Sequence, residues 1–322
     1  MLKVLYLPLG NQPGTVHGFE KTGVDLKSFD FFTHVQRNSV TETNNEFIKI
    51  ASDFKPDLIH CQLQMTNVIH SSTISKIKAI LPNTIITNWS GDIRRKVANE
   101  MVAMSSVVDY TLLSNVGQID LYKQAGAKNV HYWQIGMDQK FSKPLNKTNF
   151  KYTVSFVGNC YDKQFPDAHI RSQVARRLRT TYKLKFGLFG SGYQGNLDAK
   201  PVDISEVNDI YNDSLCVLSI SNFNDVSHYF SDRFLMCVGS GRPCITYRFP
   251  GVNNYFVSGK EVLVANDMDH LSGLVEYCVN NLALVNEIGM NGAIKAQAEH
   301  TFTSRALEPV SYTHLTLPTN RE

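Results

Sequence analysis

The 322-residue chain has little net charge, no paired-cysteine motif and no long apolar run. Lys and Arg number 32 against 29 Asp and Glu, a formal charge of +3. A charge this near balance argues against a nucleic-acid binder, whose footprint is a basic excess or stripe. No apolar stretch approaches the roughly 20 residues of a membrane span. The apolar opening, residues 1–9, is interrupted by Lys3 and has no cleavage site, so it reads as a strand rather than a signal peptide. Six cysteines occur, none in a C-x-x-C pair, and most sit in apolar runs such as Leu215-Cys216-Val217. Reduced, buried thiols are expected, and with them a cytoplasmic setting. No His/Cys/Asp/Glu group has metal-ligand spacing, so no bound metal is expected. Internal repeats and low-complexity segments are missing as well.

What is present is alternation. The 43% hydrophobic content is enough for two cores of ordinary domain size. Strand-like runs at 3–9, 57–61, 84–89, 110–113 and 130–134 alternate with helical stretches at 46–54, 73–80, 93–104 and 116–125. Residues 11–23 are Gly-rich and polar and read as a loop. Residues 138–151 break the pattern and read as a linker. The alternation then restarts, with strands at 152–157, 184–189, 215–220, 243–247 and 262–264. Helices are expected at 170–180, 204–212, 230–238, 271–280 and 284–299. The predicted fold class is α/β: two doubly wound Rossmann-like domains facing across a cleft, residues 1–148 and 149–309. In the last stretch, residues 310–322, the run V-S-Y-T-H-L at 310–315 translates a nucleotide string that resembles the transposon end used in sequencing-library adapters. The stretch is expected to be read-through rather than native chain.

Several motifs carry possible chemistry, each with a plainer explanation beside it. Residues 231–241, S-D-R-F-L-M-C-V-G-S-G, combine a cap, a helix and a Gly turn. A helix N-terminus offers free N–H groups to a phosphate, and Arg233 adds a fixed cation; an ordinary α/β unit with packing glycines has the same letters. Gly190 to Gly195 spells G-x-G-x-x-G, but the polar stretch after it contradicts the helix a nicotinamide site needs. Asp267-Met268-Asp269 spells D-x-D, with Asp269 reading as a helix N-cap. In the first domain Asp92 follows a strand, where it could orient or deprotonate an acceptor hydroxyl or cap the next helix. His60 ends a strand and is a candidate base or a core histidine. His17 lies in the predicted loop. Arg94-Arg95-Lys96 and Arg176, Arg177 and Arg179 read as solvated helix faces, compatible with at most peripheral membrane contact.

Taken in order, V-S-F-V-G-N, L-K-F-G-L-F-G-S-G, S-D-R-F-L-M-C-V-G-S-G-R-P-C-I-T, P-G-V-N-N-Y-F, E-I-G-M-N-G and H-T-F-T-S-R resemble the second domain of the CgeB-like glycosyltransferases, between residues 152 and 305. The first domain matches in layout and in F-K-P-D-L-I-H at 54–60, similar to a strand common in GT-B enzymes. The resemblance implies a GT-B transferase that moves a sugar from a nucleotide-sugar donor to an acceptor glycan, lipid or protein. No cofactor, metal or nucleic acid is expected. Gly158 and Asn159 would approach the diphosphate, Gly190, Ser191 and Gly192 would line the nucleotide loop, and Ser231, Asp232 and Arg233 would face the diphosphate. Asp92 and His60 are the catalytic candidates. The family's two donor-binding glutamates are replaced by His228 and Met236. A thioether cannot accept ribose hydrogen bonds in the manner of a carboxylate. A non-catalytic nucleotide- or glycan-binding homologue and a nucleotide-sugar epimerase on the same fold are therefore the alternatives.

Overall fold

A computed structural model describes residues 1–10, 12–64, 67–161, 165–195 and 197–316. The chain divides into two compact units. Unit 1 holds residues 1–136 and the C-terminal segment from Phe302; unit 2 is Met137–Thr301.

Unit 1 runs β1 (Lys3–Leu7), α1 (Pro13–Glu20), β2 (Asp25–Ser28), α2 (Phe31–Val35), α3 (Val40–Phe54), β3 (Leu58–Cys61), α4 (Ser71–Ile80), β4 (Ile85–Ser90), α5 (Asn99–Ser105), β5 (Tyr110–Leu113), α6 (Ile119–Gln124) and β6 (Val130–Tyr132). The sheet is parallel throughout, in the order β2-β1-β3-β4-β5-β6. Every residue of β3 and β4 is buried, as expected of strands covered on both faces. Unit 2 runs β7 (Tyr152–Val157), α7 (Ala168–Tyr182), β8 (Phe186–Phe189), α8 (Val207–Asn212), β9 (Ser214–Ser219), α9 (Asp232–Gly239), β10 (Cys244–Tyr247), β11 (Leu263–Ala265), α10 (Met268–Asn280) and α11 (Leu282–Glu299). Its parallel sheet has the order β11-β10-β9-β7-β8. The final helix, α12 (Phe302–Thr316), belongs to unit 1. Both units are thus Rossmann-like, and in each the first strand is flanked on both sides, which creates a switch point where ligands bind such sheets.

The structure departs from the sequence reading in five places. The expected loop at 11–23 contains α1. Gly18 serves packing: a Cβ there would lie 2.6 Å from the Phe302 backbone carbon of α12. The short β2 and α2 were not expected; the half-exposed pattern of β2 gives no apolar period. The helix expected from residue 93 begins at Asn99, because Gln118 accepts the Arg94 N–H at 3.0 Å and holds that stretch outside helical geometry. The expected linker is fastened to unit 2. The Lys143 and Leu145 N–H groups donate to Asn208 and Asn212 at 3.0 and 2.7 Å, and Arg242 donates to the Lys147 carbonyl at 2.8 Å. Polar anchoring of this kind has the composition of a linker, so the compact units part earlier than residue 148. Finally, α12 returns to unit 1: the Trp133 Nε1–H donates to the Arg305 carbonyl at 3.0 Å, and Ala306 and Val310 pack with Val4, Tyr6 and Phe19. Of the stretch 310–322, residues through Thr316 continue α12, and 317–322 lie outside the described residues. All six cysteines are free and buried. No helix among the described residues is long and apolar enough to cross a membrane.

Candidate functional site

In unit 2 the ends of β7 and β8 run into Gly158-Asn159 and Gly190-Ser191. The two turns are locked together. The Gly158 N–H donates to the Phe189 carbonyl and the Cys160 N–H to the Ser191 carbonyl, both at 2.8 Å. Asn159 Oδ1 accepts the Ser191 N–H at 3.0 Å and its hydroxyl at 3.2 Å. Only glycine fits at two of these positions. At φ +126°, a Cβ on Gly190 would stand 2.4 Å from the Gly158 carbonyl oxygen. At φ +83°, one on Gly192 would stand 2.1 Å from that of Cys160.

A cavity of about 250 Å³ opens at these strand ends. It is lined by Gly158, Asn159, Gly190, Ser191, Asp232 and Arg233, with Met236 and the apolar side chains of residues 201–207 on the remaining walls. The structure therefore brings six of the predicted donor-binding residues to one cavity. Gly192 and Ser231 are not among its lining residues: Gly192 shapes the turn, and Ser231 is the N-cap of α9 without using its hydroxyl as a cap. Ser231 Oγ and Arg233 Nε are both buried and have no hydrogen-bond partner among the described residues. Asp232 Oδ1 accepts the Arg233 N–H at 2.8 Å and lies 3.8 Å from its Nη1. Burial works against the Arg233 charge, but Asp232 and nearby tyrosine hydroxyls hold its pKa above the usual arginine value.

One residue of this region was missed from sequence. Arg171, on α7, is fully buried and donates to the Asn159 carbonyl at 2.6 Å and to the Ile220 carbonyl at 2.9 and 2.6 Å. It ties the end of β7 to the end of β9. Burial, then the neighbouring Arg233, pull its pKa down to about 10. Two guanidinium groups at one switch point make the place electropositive. In sequence Arg171 looks like any helical arginine, and only its apolar neighbours on α7 hinted that it points inward.

The other candidates separate. His60 is 1% exposed, bonded through Nδ1 to Thr87 Oγ1 at 2.7 Å and packed among Tyr6, Phe19 and Trp133. Desolvation pushes its pKa down to about 3. It is a neutral core histidine, which corrects the reading of it as a base. Asp92 caps no helix; its side chain is 62% exposed and pairs with Arg94 at 3.7 Å. Around it, Gln64 Oε1 accepts the Gly91 N–H at 2.7 Å and Ser114 donates to the Gly91 carbonyl at 2.8 Å. His17 sits on α1 beside Glu20. In the D-x-D stretch the cap is Asp267, which accepts the His270 N–H at 2.8 Å. Asp269 instead pairs with Arg177 at 2.6 Å. His228 adopts φ +60° and meets Asn254 through Nε2 at 2.8 Å, closing the 250–254 turn rather than lining the cavity.

Residues 168–310 match the glycosyl transferase-like family. No curated protein matches the chain in sequence. Among solved structures, the chain is similar to sucrose-phosphate synthase of Thermosynechococcus elongatus, with TM-score 0.65, 12% identity and coverage of 98% of this chain and 99% of that one. It is similar to Anabaena HepE, solved with UDP and glucose, at TM-score 0.64, 10% identity and coverage of 98% and 100%. A glycosyltransferase of Rickettsia africae superposes at TM-score 0.68 with 10% identity, covering 99% of each chain. With its two parallel sheets, the chain has the GT-B glycosyltransferase fold.

Proposed function

We propose that the protein is a glycosyltransferase of the CgeB-like type, taking a sugar from a nucleotide-sugar donor whose diphosphate lies in the unit 2 cavity. The observation that carries this reading is Arg233, whose buried Nε has no partner and whose helix begins at a cavity floored by close-packed glycine turns. Buried donors without acceptors are costly unless a ligand supplies the acceptor. An anion at this point would meet the α9 N-terminus, Arg233 and the charge of Arg171 behind it. The same groups would neutralise the leaving diphosphate as its charge develops, which is chemistry that proceeds without a bound metal. A carboxylate repels a diphosphate, so Asp232 fits the task of orienting Arg233 rather than touching the ligand. HepE, solved with UDP, shares the fold and supports a uridine nucleotide as the first donor to try.

The acceptor falls to unit 1, with Asp92 as the group that orients or deprotonates its hydroxyl. Calorimetry with UDP, followed by a screen of nucleotide sugars for nucleoside diphosphate release, tests the reading. Binding and turnover, with turnover falling about a hundredfold or more in Asp92→Asn, are expected. Binding without turnover of any donor would favour the non-catalytic homologue, to which Met236 in the cavity wall gives substance. No binding of any nucleoside diphosphate would overturn the assignment.

A further inference from the structure

Part of the cavity wall is apolar. That part is formed by Pro201, Val202, Ile204, Val207 and Met236. Met236 is 9% exposed and sits on α9 one turn beyond Arg233, its backbone carbonyl already accepting the Ser142 hydroxyl at 2.8 Å. Among the described residues, the only carboxylate lining the cavity is Asp232, which is engaged with Arg233. The remaining polar side chains there, Asn159 and Ser191, are hydrogen-bonded to each other. Sites that read ribose place a carboxylate on its hydroxyls, because a charged acceptor makes the strong bond and tells ribose from deoxyribose. A thioether and four aliphatic side chains do neither.

We infer that this site does not read the 2′-hydroxyl and takes ribo- and 2′-deoxyribonucleoside diphosphates alike, with Met236 as the residue that removes the discrimination. The inference rests on the cavity holding a nucleoside diphosphate, as proposed above. It specifies a substrate class wider than ribonucleotide sugars: donors built on deoxynucleoside diphosphates fit the same wall, since losing the hydroxyl leaves no buried acceptor unpaired.

The test is a set of matched titrations by calorimetry with the intact protein: UDP and dUDP, CDP and dCDP, ADP and dADP, GDP and dGDP. For whichever base binds, the two forms are expected within about fivefold of each other, whereas a carboxylate bond to the 2′-hydroxyl would separate them by about ten- to a hundredfold. A ribo preference above about fivefold overturns the inference and leaves the nucleotide site standing. Failure of all eight ligands to bind overturns the nucleotide reading and this inference with it. Met236→Glu should restore a ribo preference of about tenfold or more. Unchanged discrimination in that variant, with UDP still bound, would remove Met236 from the account. Should the variant not fold, the wild-type ratio alone decides.

Discussion

Ser39 and Ser231 open their helices from nearly the same backbone, φ −70°, ψ 161° and φ −78°, ψ 159°. In unit 1, Ser39 Oγ accepts the Glu42 N–H at 3.1 Å and Glu42 Oε2 accepts the Ser39 N–H at 2.8 Å, a closed capping box. In unit 2 the residue three places on is Phe234, and Ser231 makes no side-chain cap. The strand ends differ in the same sense. In unit 1 they are closed by amides and hydroxyls, with Leu63, Gly91 and Arg94 N–H groups bonded to Asn88, Gln64 and Gln118. In unit 2, glycine turns and an unpartnered guanidinium nitrogen border a cavity. Two sheets of one topology therefore differ in whether the groups at their ends serve the fold or are held for something else.

The largest expected effect is at Gly190. Gly190→Ala sets a Cβ against the Gly158 carbonyl and should destabilise the protein by about 3 kcal/mol, with nucleotide binding lost. Gly10→Ala in unit 1, where a Cβ meets nothing within 4 Å at φ +74°, should cost about 1 kcal/mol. Urea unfolding compares them, and equal losses would break the contrast. Next comes Arg233→Ala, expected to weaken nucleoside-diphosphate binding by about 1.5–3 kcal/mol with little change in stability. Calorimetry giving unchanged affinity would sink the diphosphate assignment.

His60 provides a pH signature confined to unit 1. Its folded pKa, about 3, lies below the ordinary histidine value of 6.5, so the unfolded chain takes the proton first. Stability is level above pH 6.5 and falls on acidification toward pH 3, by roughly 1.4 kcal/mol per pH unit from this group. Denaturation at stepped pH values should show that slope shrink in His60→Gln; an unaltered slope would assign it elsewhere. The smallest effects separate the two serines. Ser39→Ala should lower stability by about 1 kcal/mol. Ser231→Ala should change it by less than about 0.5 kcal/mol. Equal stability losses would show that the unit 2 serine is an ordinary cap.

Much of this was legible in the letters. The strands β3, β4, β5, β7, β9 and β10 announce themselves as short apolar runs between polar punctuation. Gly158, Gly190 and Arg233 were visible as motif residues. What was not legible depended on partners far away in sequence. Gly18 looked like a loop residue because Phe302, which requires its smallness, is distant in the chain. Residues 138–151 looked like a linker because their anchors, Asn208, Asn212 and Arg242, are polar too.

By itself, the sequence determined two parallel α/β sheets and the glycine turns of the second, because periodicity and backbone permissiveness are local properties. Tertiary structure alone decided that His60 is core rather than base and that Arg171 lies behind the cavity. Each of those follows from burial and from the groups brought alongside, which no spacing along the chain records.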